Sequence, residues 1–374
     1  MEFSTSAGKS KQIINTFDNL PQKNTSVFPH HYLHRSMKSK DVSVDFHKKL
    51  YLCRSKFFTM ISRRYLRIKV MQALYARTAN PDETIADGLK KLDKAIRSCN
   101  DLSYYFFSIF PEIKDYVLAK FEERKNKNFP TEEDLNPNTR FVDNLVIRQM
   151  EANTELQKKW NSLHVNWSQQ VELISQLYTA ITELPEYTVC MNAEKPSYKA
   201  DKELILAIIE KVLAESELLH WFFEEKNVHW FDDFNDALLM VYQNIVFWKA
   251  SQEQTPVAPL YKDEVEDVNF YKELFTKTIK NGDNYYDLIE KKLHNWEAER
   301  IIETDMLLMK MALCELMEFP NIPVKVTINE YIEIAKTYGS EKSGTFINGL
   351  IDKIANDLRQ EGRLNKTGRG LIVT

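Results

Sequence analysis

Between positions 300 and 319 the side chains Ile301, Ile302, Met306, Leu307, Leu308, Met309, Met311, Ala312, Leu313, Leu316 and Met317 fall on nearly every side of a helix. A helix that is apolar all round has to be covered all round, so this segment reads as the hub of a helical domain. It is no membrane span, because Asp305, Lys310 and Glu315 interrupt it and the chain holds no charge-free run of the required ~18 residues. Pro320 and Pro323 end it, since proline lacks the N–H a helix needs and drives the preceding residue out of the helical region. Thr327 and Glu330 then read as a capping box opening a second helix, which runs to Tyr338 and stops at Gly339, expected in the left-handed conformation. A third helix is expected from about Ser343, with Phe346, Ile347, Leu350, Ile351, Ile354 and Leu358 on one inward stripe.

Glycine supports an all-α reading of the whole chain. Of its 374 residues only nine are glycine, and six of those (Gly339, Gly344, Gly349, Gly362, Gly368 and Gly370) come late, so few tight turns are available before them. No G-x-G-x-x-G and no Walker A loop occurs, which argues against nucleotide-dependent chemistry, and no cofactor is expected. Cys53, Cys99, Cys190 and Cys314 are far apart and lack metal-ligand spacing, as suits reduced thiols in a cytoplasmic protein. No apolar signal core opens the chain.

Net charge is −4, yet its distribution is uneven. From Phe46 to Pro81 there is no acidic residue, while Lys48, Lys49, Arg54, Lys56, Arg63, Arg64, Arg67, Lys69 and Arg77 are all basic. Positions 60–79 read as a helix with Ile61, Ile68, Met71 and Tyr75 inward and Arg63, Arg64 and Arg67 on another face. Guanidinium forks suit phosphate, so this face is a candidate RNA contact; the plainer reading is a solvated basic face. His30, His31 and His34 could suggest a metal, but nothing is spaced to complete the site, and positions 1–59 read as a disordered extension or a mis-assigned start, with Met1 and Met60 both possible.

Further along, two helical segments are expected on either side of Pro111, over 85–110 and 113–127. Tyr104 to Phe107 could stack on bases, but four contiguous aromatics more often fill a core. An acidic loop follows at 129–138, then helical stretches over 144–184, 201–225 and 231–248 with Trp160, Trp167, Trp221, Trp230 and Trp248 at core-like positions. Positions 195–200 and 252–259 read as linkers. His220 and His229 do not share a helical face and are read as packing residues, not as a metal site. The end of the chain, with Arg363, Lys366 and Arg369, reads as a flexible basic tail.

Several of these residues also carry a resemblance. Asp305, Leu313, Glu315 and Leu316, then Asn321, Pro323, Lys325, Ile328, Asn329, Glu330, Ile334, Ala335, Lys336, Tyr338 and Gly339, then Ser343, Phe346, Ile347, Asn348, Gly349 and Asp352 are similar to the C-terminal half of the NusB family of transcription antitermination factors. Arg63, Arg64 and Arg67 before Met71-Gln72-Ala73-Leu74-Tyr75 resemble the family's arginine-rich opening helix, and Phe270, Tyr271, Leu274, Phe275, Tyr285, Leu288 and Ile289 resemble its joining helix.

The resemblance implies an all-α NusB-like bundle with a large helical insertion, the long form found among relatives of Bacteroides. The implied division is an extension at 1–59, N-terminal family helices at 60–110, the insertion at 111–262, a C-terminal bundle at 263–360 and a tail at 361–374. It also implies a non-enzymatic bacterial cytoplasmic adaptor. That adaptor would bind boxA-like single-stranded RNA with the ribosomal protein NusE and join the RNA polymerase elongation complex through other Nus factors. Under this reading Arg63, Arg64, Arg67, Lys69, Tyr75, Lys310, Lys342 and Ser343 contact RNA, while Glu299 and Asp305 contact the protein partner. Lys310 could instead pair with Glu303 or Asp305. A related arrangement precedes the catalytic domain of ribosomal RNA methyltransferases, but no such domain is read here. The remaining alternative is a helical protein-interaction scaffold with weak or lost RNA binding.

Overall fold

The computed structural model describes residues 61–252, 254–293 and 301–371, and among these every regular element is helical. Helix α1 (Arg63–Thr78) starts where the Ser62 hydroxyl accepts the Tyr65 N–H. Helix α2 (Ile85–Lys125) is capped the same way by Thr84 and is one continuous element, not two. Pro111 lies inside it and removes a single backbone hydrogen bond, a cost of about 3 kcal/mol. Phe106, Phe107, Ile109 and Phe110 before it and Ile113 and Val117 after it are all buried, and that packing keeps the helix running.

The short α3 (Glu132–Leu135) sits in the acidic loop, held by a capping box between Thr131 and Asp134. Then come α4 (Leu145–Ala152), α5 (Thr154–Leu163), α6 (Val171–Thr182), α7 (Pro185–Met191), α8 (Tyr198–Ile208) with a π turn at Ile209–Leu213, α9 (Glu217–Lys226) and α10 (Trp230–Phe247). The aromatic run of α2 is core, as expected. Phe106 meets Phe234 at 4.9 Å and Phe107 stacks on Trp248 at 5.5 Å. Trp230 donates its indole N–H to the Ser98 hydroxyl and carbonyl, tying α10 to α2. Trp221 departs from the expectation and is 62% exposed.

Between α10 and the next helix the chain is fastened rather than free. Trp248 Nε1 donates to the Pro256 carbonyl, Ala258 N–H to Asn244 Oδ1, and Asn153 Nδ2 to Thr255 Oγ1 at 3.0 Å. Each of these satisfies a polar group that would otherwise be buried unpaired.

The C-terminal helices are α11 (Glu264–Lys280), α12 (Gly282–Glu290), α13 (Glu303–Glu318), α14 (Val324–Tyr338) and α15 (Ser343–Gln360). Helix α13 is the hub the sequence implies, with Leu308, Met309, Met311, Ala312, Leu313, Cys314 and Glu315 all fully enclosed and α1, α11, α12, α14 and α15 packed around it. Two local expectations are corrected. Helix α14 begins at Val324 with Pro323 as its cap, so Thr327 lies inside it and is no N-cap; its hydroxyl points at Glu315 instead. Gly339 ends α14 in an extended conformation (φ −100°), not a left-handed one. A Cβ there would stand 2.5 Å from the Ser343 side chain and 2.7 Å from the Ala335 carbonyl, so glycine serves close approach, not handedness.

Lys366 and Thr367, beyond α15, are docked on the end of α13. Thr367 N–H donates to the Pro320 carbonyl, and Lys366 Nζ donates to the Glu315 and Phe319 carbonyls at the end of α13, sharing them with the Phe319 and Ile322 N–H groups.

His220 is buried against Phe234, ring centroids 3.5 Å apart, and burial lowers its pKa to about 4. No group of His, Cys, Asp or Glu side chains suited to a metal occurs among the described residues, and the His30 cluster lies outside them. Between pH 6.5 and about 4 the unfolded chain protonates this imidazole while the fold keeps it neutral, so stability falls as pH drops through that window. Changing His220 to Phe should remove up to about 3 kcal/mol of that loss, read as a flatter curve of urea-unfolding free energy between neutral pH and pH ~4.

Candidate nucleic-acid interface

Helix α1 carries the arginines that the sequence singles out, and the fold separates them. Tyr65, Leu66, Arg67, Lys69, Val70, Met71 and Leu74 are all buried, so the helix is enclosed on most sides. Arg67 and Lys69 are two residues, about 200°, apart and leave the helix on opposite sides. Each enters a buried ion pair.

On one side Arg67, 3% exposed, forms a two-point bridge to Glu315 of α13, with Nε and Nη2 each 2.8 Å from a carboxylate oxygen. The fully buried Glu315 also accepts the Thr327 hydroxyl at 2.8 Å and the Tyr331 hydroxyl at 3.4 Å, both from α14. Both its oxygens are thereby doubly served, so the buried carboxylate is paired and hydrogen-bonded on both sides. Burial works against the Arg67 charge, but Glu315 more than offsets it and raises the guanidinium pKa above its ordinary value. The guanidinium also lies over the Phe270 ring of α11 at 5.1 Å.

On the other side Lys69, 2% exposed, reaches Asp233 of α10 at 2.6 Å and lies 5.4 Å from the Tyr65 ring centroid. Burial, only partly opposed by Lys69, pushes the Asp233 carboxyl up to about 6. Gln72, at the next turn, donates to Asp232 at 2.6 Å. Arg67 and Lys69 therefore hold α1 between the C-terminal bundle and the α2–α10 core. Neither side chain lies on the surface, which corrects the expectation that they contact RNA.

Arg63 and Arg64 are on the surface, with side chains 40% and 43% exposed. Both are already engaged. Arg63 bridges Glu266 at 3.0 Å and Asp267 at 3.2 Å, with its guanidinium 5.3 Å from the Phe270 ring centroid. Arg64 grips Glu330 of α14 through Nε and Nη2, each at 2.9 Å, and the hydrogen bond to Glu330 raises its pKa. A stretch without acidic residues in sequence is thus, in the fold, lined with carboxylates from α11 and α14.

The other candidates are dispersed. Tyr75 is partly buried against the core. Lys310 lies over the Tyr286 ring of α12 at 5.3 Å rather than pairing with Glu303 or Asp305. It sits five residues, about 140° around α13, from Glu315, and so faces away from Arg67. Lys342 is exposed at the start of α15. Ser343 is 1% exposed: its hydroxyl accepts the Ser340 N–H and donates to Asp305 Oδ2, both at 2.7 Å. Asp305, 4% exposed, is consequently an internal latch for the α14–α15 turn, not a surface contact, and burial raises its pKa. Glu299 lies outside the described residues.

The model of the NusB family matches residues 236–356, from inside α10 to near the end of α15. The chain is 50% identical to the transcription antitermination protein NusB of Salinibacter ruber over 104 residues, 28% of this chain and 65% of that protein. It is 38% identical to the NusB of Chloroherpeton thalassium over 114 residues, 30% of this chain and 54% of that one. It is 36% identical to the NusB of Bacillus pumilus over 99 residues, 26% of this chain and 76% of that one. The chain belongs to the NusB family. It spans less than two thirds of the first two relatives, so family membership is the statement these similarities carry.

Within this NusB-family chain, nothing in the sequence marks Glu266 and Asp267 as partners of Arg63, and Phe270 stands out there only as a joining-helix position. Glu330 reads in the sequence as a helix cap, whereas in the fold it binds Arg64. The available signal was Glu315: a carboxylate at the centre of an otherwise apolar helix needs a counter-ion, and the arginines of α1 are the natural source. Changing Arg67 to Met should strand that carboxylate and destabilise the fold by about 3–5 kcal/mol in urea unfolding, with recovery when Glu315 is also changed to Leu. The same reasoning predicts a loss of similar size for Lys69→Met, relieved by Asp233→Leu.

Proposed function

We propose that this protein is a non-enzymatic RNA-binding adaptor in transcription antitermination, acting on single-stranded boxA-like RNA together with the ribosomal protein NusE. Membership of the NusB family carries this reading, because the named relatives are transcription antitermination proteins. The RNA–protein pair would then join the elongating polymerase through other Nus factors. No helix of the described residues is long and apolar enough to cross a membrane.

Within the proposal, Arg63 and Arg64 are the RNA-contacting pair, since they are the exposed arginines of the family's opening helix. Each keeps guanidinium N–H groups beyond those given to its carboxylate partners. Lys342, exposed at the start of α15, adds a cation beside backbone donors. Lys310, partly exposed, is a further candidate at the α12 side.

Carboxylates around Arg63 and Arg64 temper the electrostatic term. Phosphate would have to share or displace them, which favours modest intrinsic RNA affinity raised by the protein partner. The same feature supports the second reading, a helical interaction scaffold with weak RNA binding. A fluorescent boxA-like RNA titrated over a salt series, with and without NusE, separates the two. The adaptor reading expects NusE to tighten binding. Changing Arg63 and Arg64 together to Ala should then weaken it and reduce the slope of log affinity against log salt by up to about 1.4, two phosphates at about 0.7 each. Equal, weak binding by both forms even with NusE would leave the scaffold reading.

A further inference from the structure

Helix α9 turns its most expensive side chain outward. Its inner face is well anchored: Leu219 and Phe223 are fully buried, and Phe223 meets Phe106 at 5.0 Å and Trp230 at 5.8 Å. Phe222 stacks on Trp167 at 4.9 Å. Leu218 and Trp221, one turn apart on the outer face, are 41% and 62% exposed, and Val228 just beyond the helix is 42% exposed. The core does not need Trp221, and leaving an indole in water forgoes one of the largest apolar burials a side chain can make.

The ridge stands among carboxylates. Glu217, Glu224 and Glu225 are exposed on the same short helix, and none has an ion-pair partner among the described residues. The cations nearby in sequence are committed: Lys211 to Glu186, and Lys226 to the rings of Phe222 at 4.9 Å and Tyr105 at 5.5 Å. Such a field repels nucleic acid and attracts cationic groups, and the indole face does the same at short range.

We propose that Leu218 and Trp221, flanked by Glu217, Glu224 and Glu225, form a docking surface for a lysine- or arginine-rich protein segment that also carries an apolar anchor. The surface lies outside the stretch matched by the NusB family model, and the inference does not depend on the RNA reading. Trp221 acts as the central anchor and the three glutamates supply steering and orientation.

The test uses the full chain and a synthetic amphipathic peptide of lysine and leucine, with its glutamate-for-lysine analogue as the control. Isothermal titration should show one peptide bound per chain, and no binding of the acidic analogue. Trp221→Ala should weaken peptide binding at least about tenfold with thermal unfolding unchanged, because the side chain is exposed. Neutralising Glu217, Glu224 and Glu225 to Gln should weaken binding and flatten its salt dependence. Trp221→Ala binding within about twofold of the parent, or several peptides taken up per chain, would mean diffuse charge attraction and would overturn the proposal. RNA titration of the same variant should be unchanged; lost RNA affinity there would place nucleic acid, not a basic protein segment, on this face.

Discussion

The structure depends on how α1 is held. One short helix sends Arg67 to Glu315 on one side and Lys69 to Asp233 on the other, and so joins the C-terminal bundle to the helices that precede it. Buried charges are tolerable only when paired and hydrogen-bonded, and the Arg67 bridge meets that condition fully, with Thr327 and Tyr331 completing the carboxylate's shell. Such a bridge discriminates between alternatives more than it adds stability. An α1 rotated by a single residue would bury its guanidinium without a partner, a penalty no apolar contact offsets.

This use of arginine changes the meaning of the basic stretch. Cations that look like an electrostatic footprint in a linear chain are partly structural, and those left on the surface are compensated by Glu266, Asp267 and Glu330. An RNA-binding role then rests on exposure, geometry and a partner rather than on a strong positive field. The acidic face of α9 follows the same rule in reverse, because the nearby lysines are engaged by rings or by other carboxylates.

Polar anchoring at the joints recurs elsewhere. Asp305 fixes the α14–α15 turn through Ser343, and Asp201 receives Leu145 N–H and the Arg140 guanidinium where α4 meets α8. In each case a side chain distant in sequence satisfies a buried polar group at a joint between helices. This explains why turns and tails that read as loose in sequence are fastened in the fold.

Periodicity, glycine scarcity and the proline pair were sufficient to establish an all-α chain, the α13 hub, the α14 and α15 helices and the aromatic core of α2, because hydrophobic spacing is a local property that one helix expresses by itself. The family was also legible, through polar and apolar positions spread over α13 to α15. Which cations face water was not, since Arg63, Arg64, Arg67 and Lys69 share one helix and one residue class, and only carboxylates some 160 to 270 positions away sort them into buried and exposed. The same holds for Pro111, whose helix-breaking tendency is overruled by packing of α2 against α6 and α10, and for Gly339, whose role is set by Ser343 pressing against it. Local chemistry decides what a segment can become; partners brought together by the tertiary fold decide which of its charges are spent inside and which remain for another molecule.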